Sequence, residues 1–307
     1  MNSIFPKSLT VKQAIIATLA YFDLFEVPLT RNEISEHLFF TDPDEGKIDI
    51  YLRESPLINL KDGLYSLQQY PIFFQNFSEK QARAKEYWKR VKKYQWIFSI
   101  CPFVKMVGVC NSLPIQDVHE ESDIDLFVVT KNKHLFTARF FLTLLTSIFF
   151  VRRHGNRVRK RFCLSFYASE DDMCLNNITQ KPYDIYLAYW IKTLEPISGE
   201  YETYLSFLEQ NISWLNNYFK TITPHKRYFR KPSPQQYQWK QRLERIFGSK
   251  EWEDRFKNWQ LTRAKTKFNE LENSSGTIIS ETMLKFHDYD VRDQVRKDWV
   301  KRMDSVL

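Results

Sequence analysis

The amino-acid sequence predicts an α+β protein. Helical periodicity dominates the first 54 of its 307 residues, and apolar β-rich segments alternate with one helix between residues 104 and 168. Helical patterns return from residue 184 and continue to the end of the chain. Strands and helices that are segregated along a sequence in this way are typical of the α+β class.

Three helices are expected at the start of the chain. Apolar side chains recur at helical spacing over residues 10–25. Thr30 and Glu33 then form a capping box, in which each side chain satisfies a free backbone amide at the beginning of a second helix. A third, shorter helix is expected over residues 46–54.

A small hairpin is expected to follow these helices. Residues 58–67 contain two short apolar segments separated by Lys61-Asp62-Gly63, which is a turn-forming sequence. Three helices followed by a hairpin is the order of elements in a winged helix-turn-helix. We therefore expect such a domain over residues 1–78.

The charge of this domain favours a packing or protein-interaction role over DNA binding. Residues 1–78 contain six Lys and Arg against ten Asp and Glu, a net charge of −4, whereas the whole chain carries +8. The domain would therefore repel a phosphate backbone. The third helix, where base-contacting side chains would lie, carries a nearly neutral set: Lys47, Asp49, Arg53 and Glu54. A transcription regulator that uses this domain stays an alternative.

A basic helix is expected to connect the N-terminal domain to the rest of the chain over residues 79–99. Its cations are Lys80, Arg83, Lys85, Lys89, Arg90, Lys92 and Lys93. The alternative is an ordinary solvated helix face. With the first 78 residues at −4, the remaining residues of the chain carry +12.

An α/β unit with a short mixed sheet is expected over residues 100–182. Its predicted elements, in order, are strands at 104–110 and 124–130, a helix at 134–151 and a strand at 162–168. The remaining residues, 183–307, are expected to form an all-helical region. Its predicted helices lie at 184–194, 199–219, 237–247, 250–272 and 288–304, with a linker over 221–236.

Two aspartates lie at the start of the second strand of this unit. Asp123 and Asp125 alternate with Ile124, so both carboxylates should project from one face of the strand and Ile124 from the other. Convergent carboxylates suit Mg²⁺ or Mn²⁺, which would link them to a triphosphate. Asn111 and Ser112 follow the preceding strand, where a hydroxyl and backbone amides can bind phosphate oxygens.

This pattern resembles that of the DNA polymerase β-like nucleotidyltransferase superfamily, especially its minimal and aminoglycoside-modifying branches. In that superfamily a strand ends in Gly-Ser, and Asp-x-Asp follows on the next strand. Ser112 and, after ten residues, Asp123 and Asp125 match these positions. The resemblance implies a nucleotidyltransferase domain over residues 100–182. The whole arrangement is also similar to uncharacterised bacterial proteins that join a winged helix, such a domain and a helical C-terminal region.

The sequence departs from the superfamily pattern in two places. Asn111 replaces the glycine before the serine, although Asn tolerates the positive φ that such a turn requires. The third carboxylate, which typically serves as general base or second metal ligand in the superfamily, is absent from residues 162–168, where Ser165 is nearest to the expected place. Asp171, Asp172 or a base on the substrate would have to replace it.

Cationic side chains close to this site are candidates for phosphate contacts. Arg139, on the helix after the second strand, is expected either to face the triphosphate or to pair with a structural acid. Six cations also follow that helix and are either nucleic-acid or triphosphate contacts or a solvated loop: Arg152, Arg153, Arg157, Arg159, Lys160 and Arg161.

These observations predict an Mg²⁺- or Mn²⁺-dependent enzyme that moves a nucleoside monophosphate from a nucleoside triphosphate to an acceptor. The positive charge after residue 78 favours RNA or DNA as the acceptor over a small molecule or a protein hydroxyl. The alternative is a catalytically degenerate protein of the same fold that binds nucleotide or nucleic acid as a sensor or scaffold.

The remaining sequence features predict a cytoplasmic protein without a membrane partner. The four cysteines show no Cys-x-x-Cys spacing, no signal peptide is evident, and the longest apolar stretch, residues 135–151, is interrupted by polar side chains. Nothing in the sequence indicates an oligomeric state.

Overall fold

The computed structural model describes residues 9–68, 73–268, 276–286 and 290–306, and its fold is α+β, as predicted. Three helices and a three-stranded antiparallel sheet of order β1-β3-β2 form the N-terminal part. Its elements are α1 (Val11–Asp23), β1 (Leu29–Thr30), α2 (Arg31–Glu36), α3 (Glu45–Glu54), β2 (Ile58–Lys61) and β3 (Leu64–Leu67).

Two local predictions for this part are confirmed. The capping box at the start of α2 is present, because the Thr30 amide donates to Glu33 Oε2 at 2.8 Å and the Glu33 amide donates to Thr30 Oγ1 at 3.3 Å. In the hairpin turn, Asp62 and Gly63 have φ values of 52° and 78°. Tight two-residue hairpins need this left-handed backbone at both positions.

The rest of the described chain surrounds one six-stranded mixed sheet of order β7-β4-β5-β6-β9-β8. Strands β5 and β6 are parallel, and all other neighbours are antiparallel. The elements are α4 (Phe73–Ile100), β4 (Val104–Val109), β5 (Ile124–Thr130), α5 (Leu135–Ile148), β6 (Phe162–Ser169), α6 (Ile185–Lys192), β7 (Glu195–Gly199), α7 (Tyr201–Leu215), α8 (Pro234–Phe247), α9 (Lys250–Phe268), β8 (Thr277–Ile279), β9 (Met283–Phe286) and α10 (Arg292–Asp304). Within these ranges, none of the helices has the length and apolarity of a membrane-spanning segment.

The prediction of an all-helical region over residues 183–307 is wrong, because three strands of the large sheet come from it. β7 pairs with β4, and β9 pairs with β6. β8 pairs with the other side of β9 and forms the sheet edge. These strands have only three to five residues each, which is too short for a period-two pattern to stand out between long helices. Of the helix predicted over residues 250–272, the last four residues lie outside the described ranges.

The two faces of the large sheet belong to different cores. Phe127 and Phe166 face a core that includes the N-terminal part, α6 and α7. Val128 and Tyr167, on the opposite face, pack with α4 and α5. The N-terminal part contacts the sheet layer through α6, where the ring of Tyr189 stacks on an α1 tyrosine, with 4.1 Å between ring centroids. The predicted carboxylate site therefore lies where the N-terminal part meets one face of the sheet.

A buried carboxyl at the end of α1 predicts a pH-dependent stability. Asp23 is 1% exposed, its Oδ2 accepts a hydrogen bond from the Leu67 amide at 3.2 Å, and its Oδ1 has no hydrogen-bond partner in the described part of the chain. Burial raises its pKa from 3.8 to about 7, against the opposing effect of Arg302. The folded protein therefore holds this proton between about pH 4 and pH 7, while the unfolded chain does not.

We expect the free energy of unfolding contributed by Asp23 to fall as the pH rises through this window, by at most about 4 kcal/mol. The side chain at position 23 of Asp23→Asn cannot ionise. The free energy of unfolding of this variant should therefore not fall as the pH rises through the window. Urea unfolding at pH 5 and pH 8 measures the effect as the difference between wild type and variant. Asp62→Asn, at the exposed hairpin turn, is the control that should keep the wild-type pH dependence. A pH dependence unchanged in Asp23→Asn would contradict the prediction.

Candidate metal and phosphate site

The two predicted carboxylates lie together at the start of β5. Asp123 directly precedes the strand and Asp125 is its second residue, while Ile124 points into the core on the opposite face. One oxygen of each carboxylate and the Sγ atom of Cys163 all lie within 4.8 Å of one another. The alternation of side chains along an extended strand produces this convergence.

Each carboxylate accepts a hydrogen bond from a neighbouring side chain. Asn111 Nδ2 donates to Asp125 Oδ2 at 2.9 Å, and Arg153 Nη1 donates to Asp123 Oδ2 at 2.7 Å. Burial and the neighbouring charge of Asp123 raise the pKa of Asp125 to about 6. The pair is thus a compact negative site whose charge is offset by one cation.

The turn after β4 brings Asn111 and Ser112 to this site. Asn111 adopts a φ of 59°, the left-handed conformation that Asn tolerates better than other non-glycine residues. Its side chain bridges two elements, because Tyr186 Oη of α6 donates to Asn111 Oδ1 at 3.3 Å. The glycine of the superfamily pattern would leave this space open, whereas the Asn111 amide occupies it and contacts Asp125.

The third side chain that lies with the two carboxylates is a thiol. Cys163 on β6 lies opposite Asp125 in the parallel ladder, and a register irregularity follows directly. Because of that irregularity, Ser165, the residue that counting along the sequence indicates, is not the one opposite the pair. Burial, followed by the charges of Asp125 and Asp123, raises the pKa of the Cys163 thiol to about 12. The thiol is therefore protonated at neutral pH.

The two aspartates considered as replacements for the third carboxylate lie at the other end of β6. Ser169, which precedes them, pairs with Thr130 at the far end of β5, roughly 17 Å from Asp125 at about 3.3 Å per strand residue. Asp171 accepts a hydrogen bond from Ser169 Oγ, and Asp172 accepts one from a β9-side threonine at 2.6 Å. Neither can complete the site.

Arg139 does not face the carboxylate pair. It lies on α5, which packs on the opposite face of the sheet. Its Nη1 donates to Gln260 Oε1 at 2.6 Å, and its guanidinium lies over the rings of Tyr167 and Phe286 at 6.0 and 4.9 Å. The sheet separates this side chain from the site, so the predicted triphosphate contact is absent. The alternative, a structural acid, is not its partner either among the described residues, because the neutral amide of Gln260 and two rings hold it.

The basic segment after α5 brings one cation, Arg153, to the pair. Arg159 pairs instead with Glu120 at 3.1 Å, and Lys160 with Glu86 at 2.6 Å. The other three cations, Arg152, Arg157 and Arg161, form no ion pair with any described residue. Of these six cations, one therefore lies at the site and two form ion pairs away from it. The remaining three have no ion-pair partner among the described residues.

Two cavities meet at Asn111. The larger, about 230 Å³, lies on the Ser112 side and is lined by Tyr21, Phe25, Asn111, Ser112, Ile115, Asp117, Asp125, Tyr186, Tyr189, Trp190 and Thr193. The smaller, about 60 Å³, is lined by Asn111, Phe166, Tyr186, Leu187, Trp190, Lys285, Asp290, Val291 and Arg292.

The contributions of α1 and β9 to these cavities were not predicted from the sequence, because these segments are distant along the chain and carry no motif. The aromatic run of α6 was the available signal for Tyr186.

No protein-family profile, curated protein or solved structure matches the chain significantly.

Proposed function

We propose that the protein is a metal-dependent nucleotidyltransferase with a DNA polymerase β-like catalytic domain. It would transfer a nucleoside monophosphate from a nucleoside triphosphate to an acceptor hydroxyl and release pyrophosphate. The convergence of Asp123 and Asp125 beside the turn at Ser112 is the observation that carries the proposal. The β4–β5 antiparallel pair, α5 and the parallel β6 follow in the order that the resemblance implies.

The side chains present fit Mg²⁺ or Mn²⁺. Mg²⁺ binds through one or two carboxylates and completes its shell with water and substrate phosphates, and Asp123 and Asp125 supply two such oxygens. When bound, the metal would neutralise charge on the transferring phosphoryl group. It would replace the hydrogen bonds that Asn111 and Arg153 now make to the carboxylates.

The protein's own groups would mainly align the reactants. Ser112 and the adjacent backbone amides would position phosphate oxygens, and Arg153 would pair with phosphate when Asp123 is engaged elsewhere. Among the described residues no third carboxylate lies with the pair, so alignment and charge neutralisation would provide most of the rate enhancement.

The N-terminal part is proposed to be a winged helix that serves as a packing module. The order α1-β1-α2-α3-β2-β3 supports that assignment. The cations of α3 are engaged with acids of the same part: Lys47 pairs with Asp44 at 2.9 Å and Arg53 lies 3.7 Å from Glu54. Duplex binding through this helix would have to break those pairs.

A second candidate function is nucleotide binding without transfer, as a sensor or scaffold. The thiol of Cys163 in place of a carboxylate supports it, and so does the Asn111 side chain on Asp125. The three unpaired cations of the basic segment suit RNA or DNA as an acceptor or bound partner under either function.

Labelled nucleoside triphosphates distinguish these functions. The protein would be incubated with each triphosphate and Mg²⁺ or Mn²⁺, with RNA, DNA, small-molecule and protein acceptor pools. Metal-dependent pyrophosphate release that is absent from Asp123→Asn/Asp125→Asn supports the transferase. Calorimetric binding of a triphosphate without turnover supports the second candidate, and neither binding nor turnover would overturn both.

Arg153→Gln is expected to tighten Mn²⁺ binding about two- to fivefold, because the guanidinium competes with a metal ion for Asp123. The effect is small since the Arg153 side chain is 46% exposed and exposed ion pairs contribute about 0.2–1 kcal/mol. Mn²⁺ titration followed by electron paramagnetic resonance measures it. Arg157→Gln, on the same segment but without an ion pair to a described residue, is the control. Weaker Mn²⁺ binding by Arg153→Gln would show that the Arg153–Asp123 ion pair does not compete with the metal ion.

A further inference from the structure

The Lys285 side chain on β9 is buried, and its ammonium group lines a cavity without a partner among the described residues. Lys285 is 7% exposed, and it forms no hydrogen bond or ion pair with any residue that the structure describes. The other buried lysines differ: Lys80, Lys192 and Lys240 donate to backbone carbonyls at 2.8, 2.8 and 2.5 Å. Burying an unpaired ammonium is strongly unfavourable. The Lys285 ammonium, which opens into the cavity, is therefore available to an acceptor that enters it.

The Lys285 side chain projects toward the carboxylate pair's side of the sheet. It lies directly opposite Phe166 in the β6–β9 ladder, so both side chains share the face on which Asp125 lies. It lines the 60 Å³ cavity together with Asn111, whose amide contacts Asp125. The cavity is far smaller than a typical ligand pocket of ~300–1,000 Å³, and this size suits one ionic group.

The other charges in this cavity are already satisfied by one another. Arg292 donates to Asp184 at 2.8 Å and to Asp290 at 2.7 and 2.8 Å. Asp184 also accepts from two backbone amides, those of Gln180 and Leu187. Among the described charged side chains that line the cavity, Lys285 is thus the one without an ion pair, and its ammonium can bind an anion that enters the cavity.

We propose that Lys285 binds a phosphate group carried by the acceptor substrate. The inference rests on the proposed transferase function and adds the class of acceptor: a phosphorylated molecule with a free hydroxyl. The Asn111–Tyr186 hydrogen bond separates this cavity from the Ser112 cavity, where the triphosphate would bind. Two phosphate-binding places on opposite sides of Asn111 therefore serve the two substrates.

Lys285 is protonated at neutral pH. Burial and Arg292 lower its pKa to about 8, and Asp290 and Asp184 oppose this effect. The ammonium form therefore predominates below pH 8 and can bind a phosphate.

Inorganic phosphate is the probe for this site. Calorimetric titration of the full chain without metal or nucleotide should show binding that Lys285→Met weakens roughly 10- to 100-fold and that Lys285→Arg largely retains. Lys297→Met, at an exposed lysine of α10, is the control for non-specific charge and should bind phosphate as the wild type does. Lys285→Gln is the second variant, and thermal melts establish that each variant is folded. Unchanged phosphate binding in both Lys285→Met and Lys285→Gln would overturn the proposal.

A second titration separates the two possible sources of the phosphate. Affinity for a nucleoside triphosphate should change less than about threefold in Lys285→Met, because its phosphates bind on the Ser112 side. If triphosphate affinity falls as much as phosphate affinity, the group belongs to the nucleotide and the acceptor assignment is wrong. Since neither titration requires turnover, these outcomes are independent of whether Asp123→Asn/Asp125→Asn loses pyrophosphate release.

Discussion

Asp125→Asn is expected to lower metal-dependent pyrophosphate release about 1,000-fold, the scale of removing a group that stabilises transition-state charge. The substitution keeps the shape of the side chain but removes the negative charge that would hold the metal. The fold should persist, because Asp125 is held by hydrogen bonds that an amide oxygen can still accept and its burial already disfavours the charged form. The loss should therefore appear in the rate and in Mn²⁺ affinity, with no fall in thermal stability.

The matched control for this experiment is Asp171→Asn. Asp171 lies at the opposite end of β6 and binds Ser169. It should retain wild-type pyrophosphate release. Equal losses in both variants would show that the measured rate does not depend on the Asp123–Asp125 pair, and an unimpaired Asp125→Asn would refute the transferase proposal.

Trp299→Ala is expected to lower the free energy of unfolding by about 3–5 kcal/mol, the range for truncating a buried large aromatic side chain. Trp299 is fully buried on α10, and its Nε1 donates to the Ala17 carbonyl of α1 at 2.8 Å. Its ring lies 5.4 Å from that of Phe39. The variant loses apolar contacts in the core that joins the last helix to the N-terminal part.

Urea unfolding measures this loss, and Trp239→Ala is its control. Trp239 is 59% exposed on α8, so its truncation should change the free energy of unfolding by about 0.5 kcal/mol or less. If both substitutions had the same small effect, α10 would not be part of the cooperative core.

The sequence was most informative where local chemistry determines structure. The capping box at Thr30, the hairpin turn at Gly63 and the amphipathic helices all follow from short-range rules, and these elements are present. The strand at residues 195–199 was missed because its pattern is short and contains Pro196, which a sheet tolerates at its edge. Its pairing with β4 comes from tertiary contacts that no local pattern specifies.

The candidate site, too, was predictable where local chemistry determines it and not where tertiary contacts do. The alternation of Asp123 and Asp125 on a strand was sufficient to predict that their carboxylates converge. The position of Cys163 depends on a register irregularity between two strands, which sequence spacing cannot show. Arg139 was assigned to the correct helix, but the sequence did not indicate which face of the sheet that helix covers. Lys285 is distant along the chain and joins the site through sheet pairing alone.

The strand order of the large sheet also affects how the protein folds during synthesis. β4 and β6 are interior strands only because β7 and β9, which are made later, cover their edges. At ~5–20 residues per second, the ribosome needs roughly 6–23 s to proceed from Ser169 to Phe286. Throughout that interval the β6 edge presents unpaired backbone groups, which can pair with the wrong partner. The nascent chain is therefore most exposed to aggregation before its last strands emerge, and chaperone dependence should be concentrated in that period.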